Sequence, residues 1–245
     1  MKLKVINSGS EGNCYLLTNC KGETLILEVG ESLKKVKEAL DFDISNIVGV
    51  VVSHTHLDHS KYISEYTKVG INVYSNKQVV NKFGGETHNL KIVNPLTSFS
   101  LQGFRILPFE VRHDVDIETY GFLIESDGVR VVFLTDLVYT KYQFSNIHAY
   151  LIEANYDIEI VRERFKDNAE HFLKNRVINS HLSIDNCLKL LKSSDLSQTQ
   201  NIVLLHLSDK NSHAEDFKKR VEQQTYKTVY VADKGLEVEL DNEPF

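Results

Sequence analysis

Apolar positions along the chain fall in short runs, most of them with the length and β-branched content of strands. The first such run, residues 1–6, reads as an opening strand. Residues 14–18 and 24–29 read as the next two, joined by a turn over residues 19–22. Leu33, Val36 and Leu40 recur at helical spacing, which predicts an amphipathic helix over residues 31–41. Residues 47–52 read as a buried strand leading into a helix over residues 61–68. In the second half, residues 104–111 predict a strand. Residues 120–126 and 129–135, around Asp127-Gly128, predict a hairpin. Helices are predicted at residues 158–177, 184–192 and 214–223, strands at 201–206, 228–231 and 236–240, and a polar loop at 193–200. The halves read as loose repeats, each contributing a sheet.

The 245 residues are compatible with one α/β domain or two small ones. No linker-like tract divides them, so one domain over residues 1–245 is expected. Hydrophobic and charged fractions of 42% and 25% are ordinary for a globular protein. No apolar run is long enough for a membrane span, and the N-terminus lacks the apolar stretch of a signal peptide. Cys14, Cys20 and Cys187 are odd in number and form no Cys-x-x-Cys pair, which fits a reducing, cytoplasmic setting. A net charge of −6 leans against a long nucleic-acid substrate, although a local basic patch can sit on an acidic protein.

The chemistry concentrates in His54-Thr55-His56-Leu57-Asp58-His59, directly after the strand over residues 47–52. His54 and His56 fall on one side of extended chain, because side chains alternate with period two. Asp58 and His59 follow where strand gives way to helix. Two ligand pairs at one strand end can face two metal ions, and imidazole with carboxylate suits zinc, iron or manganese. His113, Asp136 and His206 each end a hydrophobic run, so they are candidates for completing the site. Gly9 and Gly12 break the chain before Cys14. A glycine loop can cradle phosphate, but no Gly-Lys-Ser/Thr follows, and a tight turn is the reading adopted. His88, His148, His171 and His213 have polar or helical surroundings and read as surface or structural residues.

The His-x-His-x-Asp-His motif resembles the signature of the metallo-β-lactamase superfamily. That resemblance implies an αββα sandwich with a two-metal site on its rim, most simply two zinc ions, with manganese as an alternative. It also implies that His54, His56 and His113 hold one metal, that Asp58, His59 and His206 hold the other, and that Asp136 bridges them. Glu28 stands where the superfamily usually has aspartate, and could still orient a ligand histidine.

Three further segments follow the ribonuclease Z branch in their order. They are Glu153-Ala154-Asn155, a histidine before a helix in Ser180-His181-Leu182-Ser183, and a final His206-Leu207-Ser208. That likeness implies that His181 faces phosphate and protonates the leaving oxygen, helped by Glu153. Asp58 would orient the attacking water. Ser8-Gly9-Ser10-Glu11-Gly12-Asn13-Cys14-Tyr15, His113-Asp114, Tyr120-Gly121-Phe122 and Glu153-Ala154-Asn155-Tyr156-Asp157 are similar to the YycJ/WalJ-like group. Leu137-Val138-Tyr139 departs from the Thr-Gly-Tyr more usual in its cellular members. The group includes putative DNA exonucleases and phage anti-Pycsar phosphodiesterases, homodimers that degrade cyclic CMP and cyclic UMP. The compact, acidic, tryptophan-free chain looks like the phage set. The expectation is therefore a homodimeric cyclic-nucleotide phosphodiesterase, in the host cytoplasm if phage-encoded. A DNA or RNA nuclease is the alternative and needs a basic strip. A nucleotide-binding sponge is the non-enzymatic one.

Overall fold

The computed structural model describes residues 1–166 and 171–242. Among them the chain forms two seven-stranded sheets with helices on the outer face of each. The first sheet contains β1 (Lys2–Asn7), β2 (Cys14–Thr18), β3 (Thr24–Leu27), β4 (Ile47–Val52), β5 (Val73–Ser75) and β6 (Leu90–Ile92) in that spatial order. The second runs from β7 (Phe99–Leu101) through β8 (Phe104–Val111), β9 (Thr119–Ser126), β10 (Val129–Leu134), β11 (Ala149–Glu153) and β12 (Asn201–Leu205) to β13 (Thr228–Val231). Each half of the chain thus builds a sheet, as the loose repeat predicts, with one exception. The last strand, β14 (Glu237–Glu239), returns to pair with β1 in the first sheet.

Alternation along each strand creates the layers. In β10, Val131 and Phe133 point into the space between the sheets, while Val132 and Leu134 point to the outer helices. In β2, Tyr15 and Leu17 face inward, and Cys14 and Leu16 face the helical layer. In central strands such as β4, β10 and β12 both faces are covered and the runs are apolar over most of their length, whereas β1 and β8 alternate with polar residues. The outer layer on the first sheet consists of α1 (Leu33–Ala39), the short α2 (Leu57–Ser60), α3 (Ile63–Lys68) and α4 (Lys77–Lys82). Of the later helices, α5 (Ile158–Arg164) and α6 (His171–Ser180) pack together around Val161, Phe165 and Val177, and α7 (Ile184–Ser193) and α8 (Ala214–Thr225) cover the second sheet. Ser183 caps α7 by accepting from the Asn186 N–H, and Leu188 and Leu191 turn inward. This is the expected αββα sandwich.

The predicted helix over residues 158–177 is instead α5 and α6, and residues 167–170 of it lie outside the described residues. Strands β5, β6, β7 and β11 and helix α4 do not appear in the sequence reading. β5, β6 and β7 have three residues each, too few to show a period, whereas β11 is as long as β2 and its length does not explain its absence. No described helix is long and apolar enough to cross a membrane.

Candidate metal centre

Parallel pairing of β3, β4 and β5, and of β10, β11 and β12, brings the C-terminal ends of these strands to one rim of the sandwich. The predicted ligands sit on the loops that leave those ends. β4 delivers His54 and His56 and runs into α2, which carries Asp58 and His59 in its first turn. His113 follows β8, Asp136 follows β10, and His206 follows β12. All seven converge. Potential ligand atoms of His54, His56, His113 and Asp136 lie within 4.8 Å of one another, as do those of Asp58, His59, Asp136 and His206. Asp136 belongs to both sets, the position expected of a bridging carboxylate.

Hydrogen bonding fixes which nitrogen each ring turns to the centre. His113 Nδ1 donates to the Ser180 carbonyl, so its Nε2 is a lone pair, and it lies 3.2 Å from His56 Nδ1. His56 Nδ1 is also 2.9 Å from His54 Nε2, while His54 Nδ1 meets the Ser53 hydroxyl. Without a cation, one N–H on His56 would have to serve both other lone pairs. A divalent cation satisfies them together, so these residues fit a metal. In the second set, His59 Nε2 is 3.2 Å from Asp58 Oδ2 and 3.4 Å from Asp136 Oδ2, and His206 Nε2 is 3.4 Å from Asp58 Oδ2.

The protonation pattern reflects the same crowding. Burial pushes the His54 pKa well down, and the neighbouring His59 adds to this. Burial also opposes a charge on His59, but Asp136, Asp58 and Glu28 outweigh it and raise its pKa. His206 is raised to about 10, with Asp136, Asp58 and Glu153 overcoming burial. Burial opposes ionisation of Asp136 and Asp58, yet the histidines hold both well below the usual carboxylate range. Metal binding would displace the imidazole protons, so affinity rises with pH.

The supporting residues are specific. Both oxygens of the buried Glu28 carboxylate accept the Ser53 N–H, at 3.1 and 3.2 Å, and Oε2 lies 3.7 Å from His59 Nδ1. The longer side chain still faces the histidine that an aspartate would orient, at ion-pair range. The loop over residues 8–13 is a turn, as expected, but it also braces the centre. Asn13 Nδ2 lies 3.2 Å from His59 Nε2, and Ser8 Oγ accepts the His206 N–H. The Asn155 amide donates to the His206 carbonyl at 2.8 Å. The Ser180 hydroxyl donates to Asp114, whose Oδ2 is 3.6 Å from His56 Nε2. Asn13, Asn155 and Asp114 carry no sign of these duties beyond their place in the quoted motifs. Glu28, Asp136 and His206 have φ of 65°, 47° and 52°, a left-handed backbone uncommon outside glycine.

His181 and Glu153 form a third group with Asp136 and His206, again with ligand atoms within 4.8 Å. His181 Nδ1 lies 2.7 Å from Glu153 Oε1, and its ring stacks on His206 at 5.4 Å between centroids. Burial disfavours the His181 charge, but Glu153 outweighs it and raises the pKa. His148 accepts the Arg130 N–H away from the site. His88 and His213 are not in any of these ligand groups. The His171 side chain lies outside the described residues.

A sandwich of this kind, with its ligands gathered at one rim, defines the metallo-β-lactamase-fold hydrolases. Residues 27–207 match the family described as Beta-lactamase superfamily domain, and the chain belongs to it. Exodeoxyribonuclease WalJ of Streptococcus pneumoniae serotype 2 is 26% identical over 231 residues, covering 86% of this chain and 83% of its own. Anti-Pycsar protein Apyc1 of Bacillus phage vB_BsuM-Goe3 is 27% identical over 131 residues, which is 49% of this chain and 46% of Apyc1. Zinc-bound PqqB of Methylobacterium extorquens shares the fold, with a TM-score of 0.72 at 12% identity over 98% of this chain and 100% of that one.

Proposed function

We propose that this protein is a metal-dependent phosphodiesterase acting on nucleotides. The observation that carries the reading is the Glu153–His181 pair, 2.7 Å apart and stacked against His206 at the edge of the ligand cluster. An alkoxide leaving from phosphorus needs a proton donor, whereas the thiolate expelled from a thioester does not, so a buried carboxylate holding a protonated imidazole beside the metal ligands fits phosphoester cleavage. His54, His56 and His113 would hold one ion, Asp58, His59 and His206 the other, and Asp136 both. Zinc is the first choice, by the donor set and the PqqB likeness. When bound, the ions supply Lewis acidity that acidifies water and neutralises charge on phosphoryl oxygens.

The chain's own residues complete the hydrolysis. Asp58, 21% exposed at its side chain, orients the attacking water. The water gives up a proton to solvent, its oxygen bonds to phosphorus, and the opposite P–O ester bond breaks. Protonated His181 gives its proton to the departing oxygen, and Glu153 holds the ring in place.

Two substrate classes carry such a bond. The first is 3′,5′-cyclic nucleotides of the cCMP and cUMP type, favoured by the Apyc1 likeness and by net charge −6. It brings with it the expectation of a phage-encoded homodimer that counters cyclic-nucleotide signalling. The second is nucleic-acid ends, favoured by the longer WalJ match. Turnover of a cyclic-nucleotide panel beside end-labelled DNA and RNA decides between them. Tight binding without turnover of any of these would leave a sponge. A light-scattering mass of 28.0 kDa for the active protein would sink the dimer.

A further inference from the structure

A cavity of about 370 Å³ opens beside the metal centre, with His181 and His206 in its wall. This volume is in the range of small-molecule sites. Since His181 is the proton donor in the proposed hydrolysis, this is the side on which the leaving group lies. The rest of the lining comes largely from α5, α6 and the loop after β12. Those segments contribute Arg164, Arg176 and Lys210. Arg176 and Lys210 have no hydrogen bond or ion pair with any described residue. Arg164 is held in place: it donates to Asn211 Oδ1 at 2.9 Å, and its guanidinium lies 4.9 Å from the Phe165 ring centroid. Asp209 is the only carboxylate among the described lining residues, so the cavity keeps a surplus of positive charge on an acidic chain.

Unpaired guanidinium and ammonium groups offer donors and no acceptors. A cyclic mononucleotide has one phosphate, which the metal centre takes, and it would leave these cations without an anionic partner among the described residues. The geometry points to a subsite for a second phosphate on the leaving-group side, formed by Arg176 and Lys210 with Arg164 as a fixed edge. The substrates it fits are phosphodiesters whose leaving half carries its own phosphate, such as a linear dinucleotide with a terminal phosphate or the end of a short strand. The subsite rests on the phosphodiesterase reading for its role but not for its existence. Placing two phosphates at once requires only that a bisphosphate bind across the centre and the cavity.

Calorimetry on the metal-loaded protein tests this without turnover. The probes are a nucleoside 3′,5′-bisphosphate and the corresponding 5′-monophosphate. The bisphosphate should bind roughly tenfold tighter, an advantage that shrinks with added salt. Arg176→Ala/Lys210→Ala should abolish the difference between the two probes, and Arg176→Lys should keep most of it. Equal affinities in the wild type, or a difference that survives the double variant, would overturn the subsite. Hydrolysis of bis(p-nitrophenyl) phosphate by the wild type is followed separately. Its absence would remove the phosphodiesterase reading while leaving the binding result to stand or fall alone.

Discussion

Glu153 Oε1 meets His181 Nδ1 at 2.7 Å, while Oε2 of the same carboxylate accepts the N–H groups of Leu137 and Leu182, each at 3.0 Å. One buried side chain therefore ties the loop after Asp136 to the histidine before α7. His181 Nε2 has no hydrogen bond among the described residues and is the nitrogen available to substrate.

Replacing His181 separates proton delivery from metal binding. His181→Ala should lower turnover by about 10²–10⁴-fold on a substrate with a poor leaving group, and much less on a nitrophenyl diester. Elemental analysis of the variant should still find both metals. Loss of an ion would mean that the third cluster, with Asp136, Glu153 and His206, is a ligand set in its own right.

The pH profile should follow the same pair. Glu153 raises the His181 pKa above its ordinary value of 6.5. The acid form therefore dominates below the raised value, and turnover falls as pH climbs through it. Glu153→Gln removes the charge that does the raising, so the alkaline limb should move to lower pH. An unmoved limb would assign it to another group. The pairing also stabilises the fold. That contribution is complete below 6.5 and disappears as pH passes the raised pKa.

His56 depends on a longer chain of contacts. Asp114 Oδ2 faces its Nε2, the Ser180 hydroxyl holds Asp114, and the Ser180 carbonyl takes His113 Nδ1. His56→Ala should lose metal and activity together. Asp114→Ala should weaken metal retention by about 10–100-fold in a chelator competition, and activity should return at saturating metal. Asp114→Asn should fall between Asp114→Ala and the wild type, because it keeps the shape without the charge.

Gly30 marks where three loops meet with no space to spare. A Cβ there would lie 1.7 Å from the Asp58 carbonyl oxygen and 2.5 Å from the Asn13 nitrogen. Both neighbours are backbone and cannot swing aside. Gly30→Ala should cost about 3 kcal/mol or more and lower the melting temperature by roughly 10 °C. A melting curve that matches the wild type would show that the loops can part freely.

His54, His56, Asp58 and His59 were legible from their spacing. The other three ligands were legible because each follows an apolar run, and strand ends at one rim are where this architecture exposes side chains. His113, Asp136 and His206 are far apart in sequence, and the sheet that joins β8, β10 and β12 through β9 and β11 brings them together. Asn13 and Asn155 were not legible as braces, since their contacts depend on loop conformations that no periodicity encodes. The cavity cations were hidden for another reason. Arg164, Arg176 and Lys210 come from three segments of a chain whose overall charge has the opposite sign. The short strands β5, β6 and β7 were missed because three residues cannot display a repeat.

Glu28, Asp136 and His206 occupy the same unfavourable backbone region at the centre's edge. Each such residue costs of order 1–3 kcal/mol, and the surrounding fold has to hold it there. Ions that bind the folded chain but not the unfolded one return that energy by mass action. How long a copy of this protein survives proteolysis in a cell then becomes a matter of metal supply. With the centre holding ions, a chain made when they are scarce would unfold more often and be cleared sooner, so the folded pool would track the metal ration of its surroundings.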